Sequence, residues 1–371
     1  MSQTYQISKT TEIFSPALVV FTEVLDANIA EMVRVAGDVN RLRPHCKTHK
    51  MPEVVKRQLD MGITKHKAAT FAEAEMLADT GVKDIFLAYN LVGPNIGRAV
   101  AFCRKYPDVK FAVTADDTRM LAQLSEAMTA ASTEIDVLLD CDSGLHRTGK
   151  ELVEEAAALY QQIADSPGVN PGGLHFYDGH HHQVDFEERK SAVLADFQTA
   201  LDFREQLQQR GLDVPKIVAG GTGSFPVYAG VDDQTVELSP GTCVLHDCGY
   251  GTIFPDLNFQ PAAMMLTRVI SRPTPNRLTV DLGNKSIAAD PPMGNRVMFP
   301  DLPDAEQVLH NEEHLVLETP LASKYQPGDE LLGIPRHICP TSALHRQAYV
   351  VENGELIGRW DVVARDRQIT I

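Results

Sequence analysis

Short runs rich in β-branched and aromatic residues alternate with longer helix-like runs through the first 240 residues of the chain. This alternation limits the fold more than any other feature, because strands separated by helices pair in parallel. The runs that read as strands are "RLRPHCK", "ITKHKAAT", "KDIFLAY", "KFAVTA", "EIDVLLDCD", "PGGLHFY", "PKIVAGG" and "TVELSPG". Runs between them, such as "FAEAEMLADTG" and "ELVEEAAALYQQIA", carry apolar residues at three- and four-residue spacing, and several helical runs stop at glycine. Eight strands separated by helices is the count of a (β/α)8 barrel of the TIM type. A doubly wound open sheet has the same local signals; the even spacing favours the barrel.

After Pro261 the character changes. "MLTRVISR", "RLTVDLG", "HLVLETP", "ELLGIP", "QAYVVENGELIGRW" and "QITI" read as strands with little helix between them, and Asn353-Gly354 is a hairpin signal. The expected organisation is an α/β chain: a barrel over residues 15–255, then a β domain over residues 256–371 that residues 1–14 are free to join. A length of 371 residues suits one large and one smaller domain.

Composition removes several function classes. The net charge is −16 and no lysine or arginine run occurs, which argues against a nucleic-acid partner. The first thirty residues lack a basic start followed by an apolar run, and no stretch approaches the ~18 apolar residues of a membrane span. The six cysteines, at 46, 103, 141, 243, 248 and 339, are scattered and read as mostly buried free thiols. A cytoplasmic protein acting on small molecules is expected.

Barrels gather functional groups at the C-terminal ends of their strands. The first predicted strand ends at His45-Cys46-Lys47, the fifth in "DCDSGLHRTG" with Arg147, and the sixth in "HFYDGHHH" with His175, Tyr177 and His180. The seventh ends in "AGGTGSFP", with Gly221, Thr222, Gly223 and Ser224, and the eighth in "SPGTCV", with Gly241 and Thr242. Glycines let backbone N–H groups approach an anion, and barrels often bind phosphate with these two loops. An ordinary glycine turn is the plain alternative; position after the seventh strand favours phosphate. A lysine across the mouth from such a loop suits a Schiff base with pyridoxal phosphate. Solvent exposure is the usual fate of lysines such as Lys50, Lys56 and Lys65. Only strand alternation separates Lys47 from Lys50, by placing His45, Lys47 and His49 on one face.

Two further clusters have the residue types of metal ligands. "PRHICPT" spaces His337 and Cys339 at i and i+2, one face of an extended segment, and imidazole with thiolate suits zinc. A lone His-x-Cys is usually chance. The triple histidine at 180–182 is a rival, but consecutive side chains point in different directions, so His180 reads as pocket wall and the other two as surface. "DLGNKS" (281–286) and "NEEH" (311–314) read as a structural turn and a solvated acidic turn.

Together "RPHCKTHK", "GLHRTG", "YDGH", "AGGTGS", "PGT" and "PRHICPT" resemble the D-threonine aldolase and eukaryotic-type D-serine dehydratase group. These are fold-type III pyridoxal phosphate enzymes related to the N-terminal barrel of alanine racemase. The resemblance covers nearly the whole chain. It implies Lys47 as the Schiff-base lysine and Arg147 near the cofactor's phenolic oxygen or the substrate. It implies Tyr177 lining the pocket, and Gly221, Thr222, Gly223, Ser224, Gly241 and Thr242 around the phosphate. His45 and His180 fall on the substrate side. Where alanine racemase has an arginine for the pyridine nitrogen, this chain has Ser239. The resemblance makes His337 and Cys339 a catalytic metal pair for zinc, with manganese or magnesium as the other divalent ions. The group's aldolases commonly show His-x-Asp and its D-serine dehydratases His-x-Cys. The implied activity is metal-assisted cleavage of D-β-hydroxy-α-amino acids to glycine and an aldehyde. Dehydration of D-serine or D-3-hydroxyaspartate is the nearest alternative. A racemase would need a second base, and a non-enzymatic pyridoxal phosphate carrier usually lacks an added β domain. Relatives in the group are often homodimers.

Overall fold

Seven strands lie side by side in chain order, all parallel: Lys65–Ala68, Asp84–Asn90, Lys110–Ala115, Ile135–Cys141, Val169–Phe176, Ile217–Ala219 and Val236–Leu238. The computed structural model describes residues 5–367, 370 and 371. Residues 42–46 close the row. Leu42 bridges to Leu238 and His45 to Lys67, both in parallel. Arg43 and His45 N–H groups donate to the Leu238 and Pro240 carbonyls at 2.8 Å, and Lys67 N–H donates to the Pro44 carbonyl at 2.9 Å. The predicted barrel therefore stands, with an irregular first stave. Pro44 has no N–H to add to a ladder, so this segment makes bridges rather than a continuous strand.

Ion pairs pin that stave. The buried Arg43 guanidinium bonds Glu237 at 2.5 Å and Asp84 at 2.7 Å, and Lys65 bonds the other oxygen of Glu237 at 2.7 Å. Burial alone would lower the guanidinium, but the two carboxylates outweigh it and raise it. Phe86, Ala112 and Leu138 from three neighbouring strands pack with Val218 of Ile217–Ala219 into an apolar cluster. Helix starts follow local chemistry. Thr70 caps Phe71–Asp79 by accepting Glu73 N–H at 3.2 Å, and the Glu73 carboxylate returns to Ala69 N–H at 2.6 Å. Asp185 caps Phe186–Gln209 through Glu188 N–H at 3.0 Å.

The chain falls into two units, one of residues 33–47 and 55–241, the other of residues 5–32, 48–54 and 242–366. The second is built on a mixed sheet in the order Glu306–His310, Leu315–Glu318, Arg277–Val280, Ala263–Thr274, Ala17–Phe21, Gln347–Glu352, Glu355–Asp361. Val297–Met298 and Glu330–Pro335 join at its side. The hairpin at Asn353-Gly354 forms as expected, with φ of 50° and 79° at its two turn residues.

The limits at 15 and 255 need correction. Ala17–Phe21 pairs with Ala263–Thr274 and Gln347–Glu352, so it belongs to the β unit and not to the barrel. Of the predicted strand at 368–371, Gln368 and Ile369 lie outside the described residues, and Thr370 and Ile371 are not in a strand. Among the described residues no helix is long and apolar enough to cross a membrane.

Candidate active site

Three basic side chains meet on the ring of Tyr177. Lys47 Nζ lies 5.7 Å and Lys67 Nζ 5.8 Å from the centre of the Tyr177 ring, and the Arg147 guanidinium carbon lies 4.7 Å from it. A ring face attracts cations, but three cations around one tyrosine repel each other unless an anion joins them. The backbone delivers each one. Residues 46–49 turn directly after the closing stave, and His45 Nδ1 accepts Lys47 N–H at 3.4 Å. The turn ends the strand alternation, so His49 does not share a face with Lys47. It is buried with Nδ1 accepting Met51 N–H at 3.1 Å, and burial lowers its imidazole to about 3. His45, expected on the substrate side, is itself buried and holds the turn that presents Lys47.

Arg147 rides on a loop that folds back onto its own strand. Asp142 N–H donates to the Lys150 carbonyl at 2.8 Å, and Lys150 N–H donates to the Asp140 carbonyl at 2.9 Å. A Cβ on Gly149, at φ 97°, would sit 2.7 Å from Asp142 N and Cys141 C, so only glycine lets the loop close this tightly.

Behind the ring lies a network that the motifs did not show. Asp140 and His175 are register partners on neighbouring strands, and His175 Nδ1 donates to Asp140 at 2.7 Å. Burial would raise the Asp140 carboxyl, but bonding and attraction from His175 lead a set of interactions that holds it below the usual range. Burial, with Lys67 adding to it, lowers His175 to about 4, so its ring is neutral and Nε2 carries a lone pair. Lys67 is 3% exposed. Burial first, then the positive charge of Lys47, pulls its amine down to about 7.

The glycine loop after the seventh stave meets the same tyrosine. A Cβ on Gly221 would lie 3.2 Å from Tyr177 Cε2, so the turn and the Lys47 amine share one ring. Gly220 sits at φ 75° with no room for a side chain, since an added Cβ would lie 2.7 Å from the Tyr228 ring. Ser224 Oγ accepts Gly221 N–H at 3.2 Å and donates to buried Asp178 at 2.7 Å, so its proton is already committed. Thr222 Oγ1 accepts Gly241 N–H at 3.2 Å, which joins the two loops and leaves its own hydrogen free to donate. Thr242, by contrast, turns its hydroxyl to Cys339 Sγ at 3.4 Å, so its side chain is engaged with the thiol. Tyr228 O–H also donates to Asp178, at 2.9 Å. Asp178→Ala would strand both hydroxyls. Each buried donor left unpaired costs about 1–3 kcal/mol. We expect a lower melting temperature and weaker binding of added pyridoxal phosphate, read by calorimetry and titration.

His180, expected at the pocket wall, lies beside the loop that carries Arg147: a Cβ on Gly144 would sit 3.7 Å from its Nε2. Its ring turns to Asp196 on the Phe186–Gln209 helix, 3.3 Å away, held there by the bend of residues 178–181. "DLGNKS" is a structural turn, with Asp281 accepting from Thr267 and Arg268, and Glu312 and Glu313 of "NEEH" are solvated partners of Lys285.

In the β unit, His337 immediately precedes helix Ile338–Leu344, with no capping bond from its side chain, and Cys339 stands in the first turn. The pair straddles a helix start rather than lying on one extended face. His337 Nδ1 bonds Asp290 at 2.6 Å, which leaves Nε2 as the ring nitrogen for the bond to Cys339. Thr48 Oγ1 lies 3.1 Å from Cys339 Sγ. Burial opposes both charges, yet attraction to each other and these partners lifts His337 to about 9 and lowers the Cys339 thiol. A carboxylate behind an imidazole and a thiol inclined to ionise suit a divalent metal.

Residues 22–246 match the alanine racemase N-terminal domain and residues 262–351 the serine dehydratase domain. D-threonine aldolase of Arthrobacter sp. is 33% identical over 359 residues, covering 95% of this chain and 92% of that one. The crystal structure of D-threonine aldolase from Filomicrobium marinum superposes with a TM-score of 0.88 at 29% identity, covering 96% and 97% of the two chains. A cysteine-to-alanine mutant of D-threo-3-hydroxyaspartate dehydratase in the metal-free form gives 0.83 at 21%, covering 94% and 97%, a likeness of fold. Sharing a third of its residues with one such enzyme almost end to end, the chain belongs to the D-threonine aldolase family, whose barrel is the alanine racemase N-terminal domain.

Proposed function

We propose that the chain is a pyridoxal-phosphate-dependent lyase that cleaves D-β-hydroxy-α-amino acids, D-threonine among them, to glycine and an aldehyde. The convergence of Lys47, Arg147 and the 221–224 turn on the Tyr177 ring carries this reading. The residues fit the cofactor by their unmet bonding. Ser239 Oγ and His175 Nε2 are buried without a hydrogen-bond partner, a cost that polar atoms of a ligand would relieve.

Lys47 Nζ would hold the aldehyde carbon, and the 221–224 turn with the Thr222 hydroxyl, steadied by Gly241 N–H, would hold the phosphate. Arg147 would meet the phenolic oxygen, and Ser239 Oγ is the group left for the pyridine nitrogen. When bound, pyridoxal phosphate supplies an aldehyde for the substrate amine and a ring that accepts the electron pair of a broken Cα bond. Lys67, with an amine near 7, is partly uncharged at neutral pH and can take up and return a proton at Nζ. Neutral His175 can accept one at Nε2, with Asp140 fixing its tautomer. The Lys47 amine is a further group that can hold or return a proton for the α-carbon. His337 and Cys339 would hold a divalent metal, zinc by their donor types, which would polarise the β-hydroxyl as a Lewis acid.

Cys339 also favours a second reading, since the resemblance associates His-x-Cys with dehydration. Free thiols suit a reducing cytoplasm, and the resemblance brings a homodimer. Cofactor-loaded protein incubated separately with D-threonine and D-serine distinguishes these readings. Glycine and acetaldehyde from D-threonine are expected. Ammonia and pyruvate from D-serine instead would make it a dehydratase, and interconversion of alanine enantiomers a racemase. Bound cofactor with every substrate inert would leave a carrier.

A further inference from the structure

We propose that His180, His181 and Asp196 form a second divalent-metal site, of the zinc class, sharing no residue with the His337–Cys339 pair. Neighbouring histidines on a strand would point apart. Here they lie in a bend, with His181 N–H donating to the Asp178 carbonyl at 3.3 Å, and their rings come to 4.2 Å between centres. Both Nε2 atoms approach one oxygen of Asp196, which the long helix Phe186–Gln209 brings alongside: His180 at 3.3 Å and His181 at 2.9 Å. One donor atom from each of the three lies within 4.8 Å of the others.

These spacings are those of a ligand set. Zinc–nitrogen bonds of about 2.0–2.1 Å in a tetrahedron put neighbouring donor atoms about 3.3 Å apart. A hydrogen-bond account is incomplete, because His181 Nε2 sits 2.9 Å from the carboxylate oxygen yet makes no directed hydrogen bond to it. The His181 side chain is 6% exposed, so water does not supply the missing partner. A cation among the three donors would satisfy it. Asp196 is 40% exposed, which gives an ion an entry path and leaves a position for water. Two imidazoles and a carboxylate select zinc-class ions over magnesium or calcium. His45, Cys46 and Glu73 also cluster, but the Glu73 carboxylate is already committed to capping its helix.

Cofactor-loaded enzyme, stripped with a chelator and re-equilibrated with Zn2+, is freed of loose metal and its zinc counted per chain by mass spectrometry. Asp196→Ala and Asp196→Asn should each carry one zinc fewer than the parent, with the parent's circular dichroism. The His337→Ala/Cys339→Ala double variant should keep the equivalent that the Asp196 variants lose, so this site and the proposed catalytic metal are scored separately. Equal zinc in the parent and both Asp196 variants overturns the proposal. Should neither variant fold, acylation of the partly exposed His180 in the parent decides: zinc protecting His180 supports the site, and equal labelling of it with and without zinc refutes it.

Discussion

An enzyme carrying Lys47→Ala loses the visible band of bound pyridoxal phosphate and roughly 10²–10⁴-fold in turnover, the range that one positioned proton-transfer group contributes. Lys50→Ala keeps both. The two lysines are three residues apart, but the turn at 46–49 sends only the first onto the Tyr177 ring. Lys50 stands past that turn at φ 55°, and its carbonyl accepts Ala364 N–H. Lys47→Arg should fail like alanine, because a guanidinium stays protonated and cannot attack an aldehyde. Absorbance of the purified proteins and a glycine assay decide the matter. A Lys47→Ala protein that retains the band would end the assignment of this amine to the cofactor.

Lys67→Met should stabilise the cofactor-free protein while cutting its activity when loaded. The folded amine sits near 7 against 10.5 in the open chain, so unfolded protein binds the proton more tightly. Stability therefore rises with pH between about 7 and 10.5, and the full penalty is present below about 7. That penalty is roughly 5 kcal/mol at most, with lost attraction to Asp140 reducing what methionine recovers. A melting temperature higher by several degrees at pH 6, with the gain shrinking toward pH 10, is the expected result. The loaded variant should lose the limb of the pH–rate profile near 7 and on the order of 10² in kcat. Trading stability for chemistry is common at active sites. A less stable variant at pH 6, or an unchanged pH–rate profile, would take Lys67 out of the mechanism.

Lys67 shows where reading the chain stops. "KHK" looks like an exposed polar strand, and only the closure register of His45 with Lys67 brings it beside Lys47. Asp140 and His175 are 35 residues apart and meet because their strands are in register, which leaves no local signal. Lys47, Arg147, Tyr177 and the 221–224 turn were legible because each ends a stave of a barrel, where position implies role. Thr242 and Ser224 were legible as hydroxyls but not in what they bond, since Cys339 and Asp178 come from distant segments. Ala17–Phe21 was missed because five apolar residues running straight into helix Thr22–Ala36 read as either element.

The position of Ala17–Phe21 has a consequence during synthesis. These five residues are wholly buried, flanked by Ala263–Thr274 on one edge and Gln347–Glu352 on the other. At about 5–20 residues per second, the segment leaves the ribosome on the order of tens of seconds before either neighbour exists. Throughout that interval a bare, uncharged β segment is open to pairing with other nascent chains. Translation speed and holding chaperones thus bear on the yield of this enzyme more than on that of a barrel whose staves pair in order as they emerge.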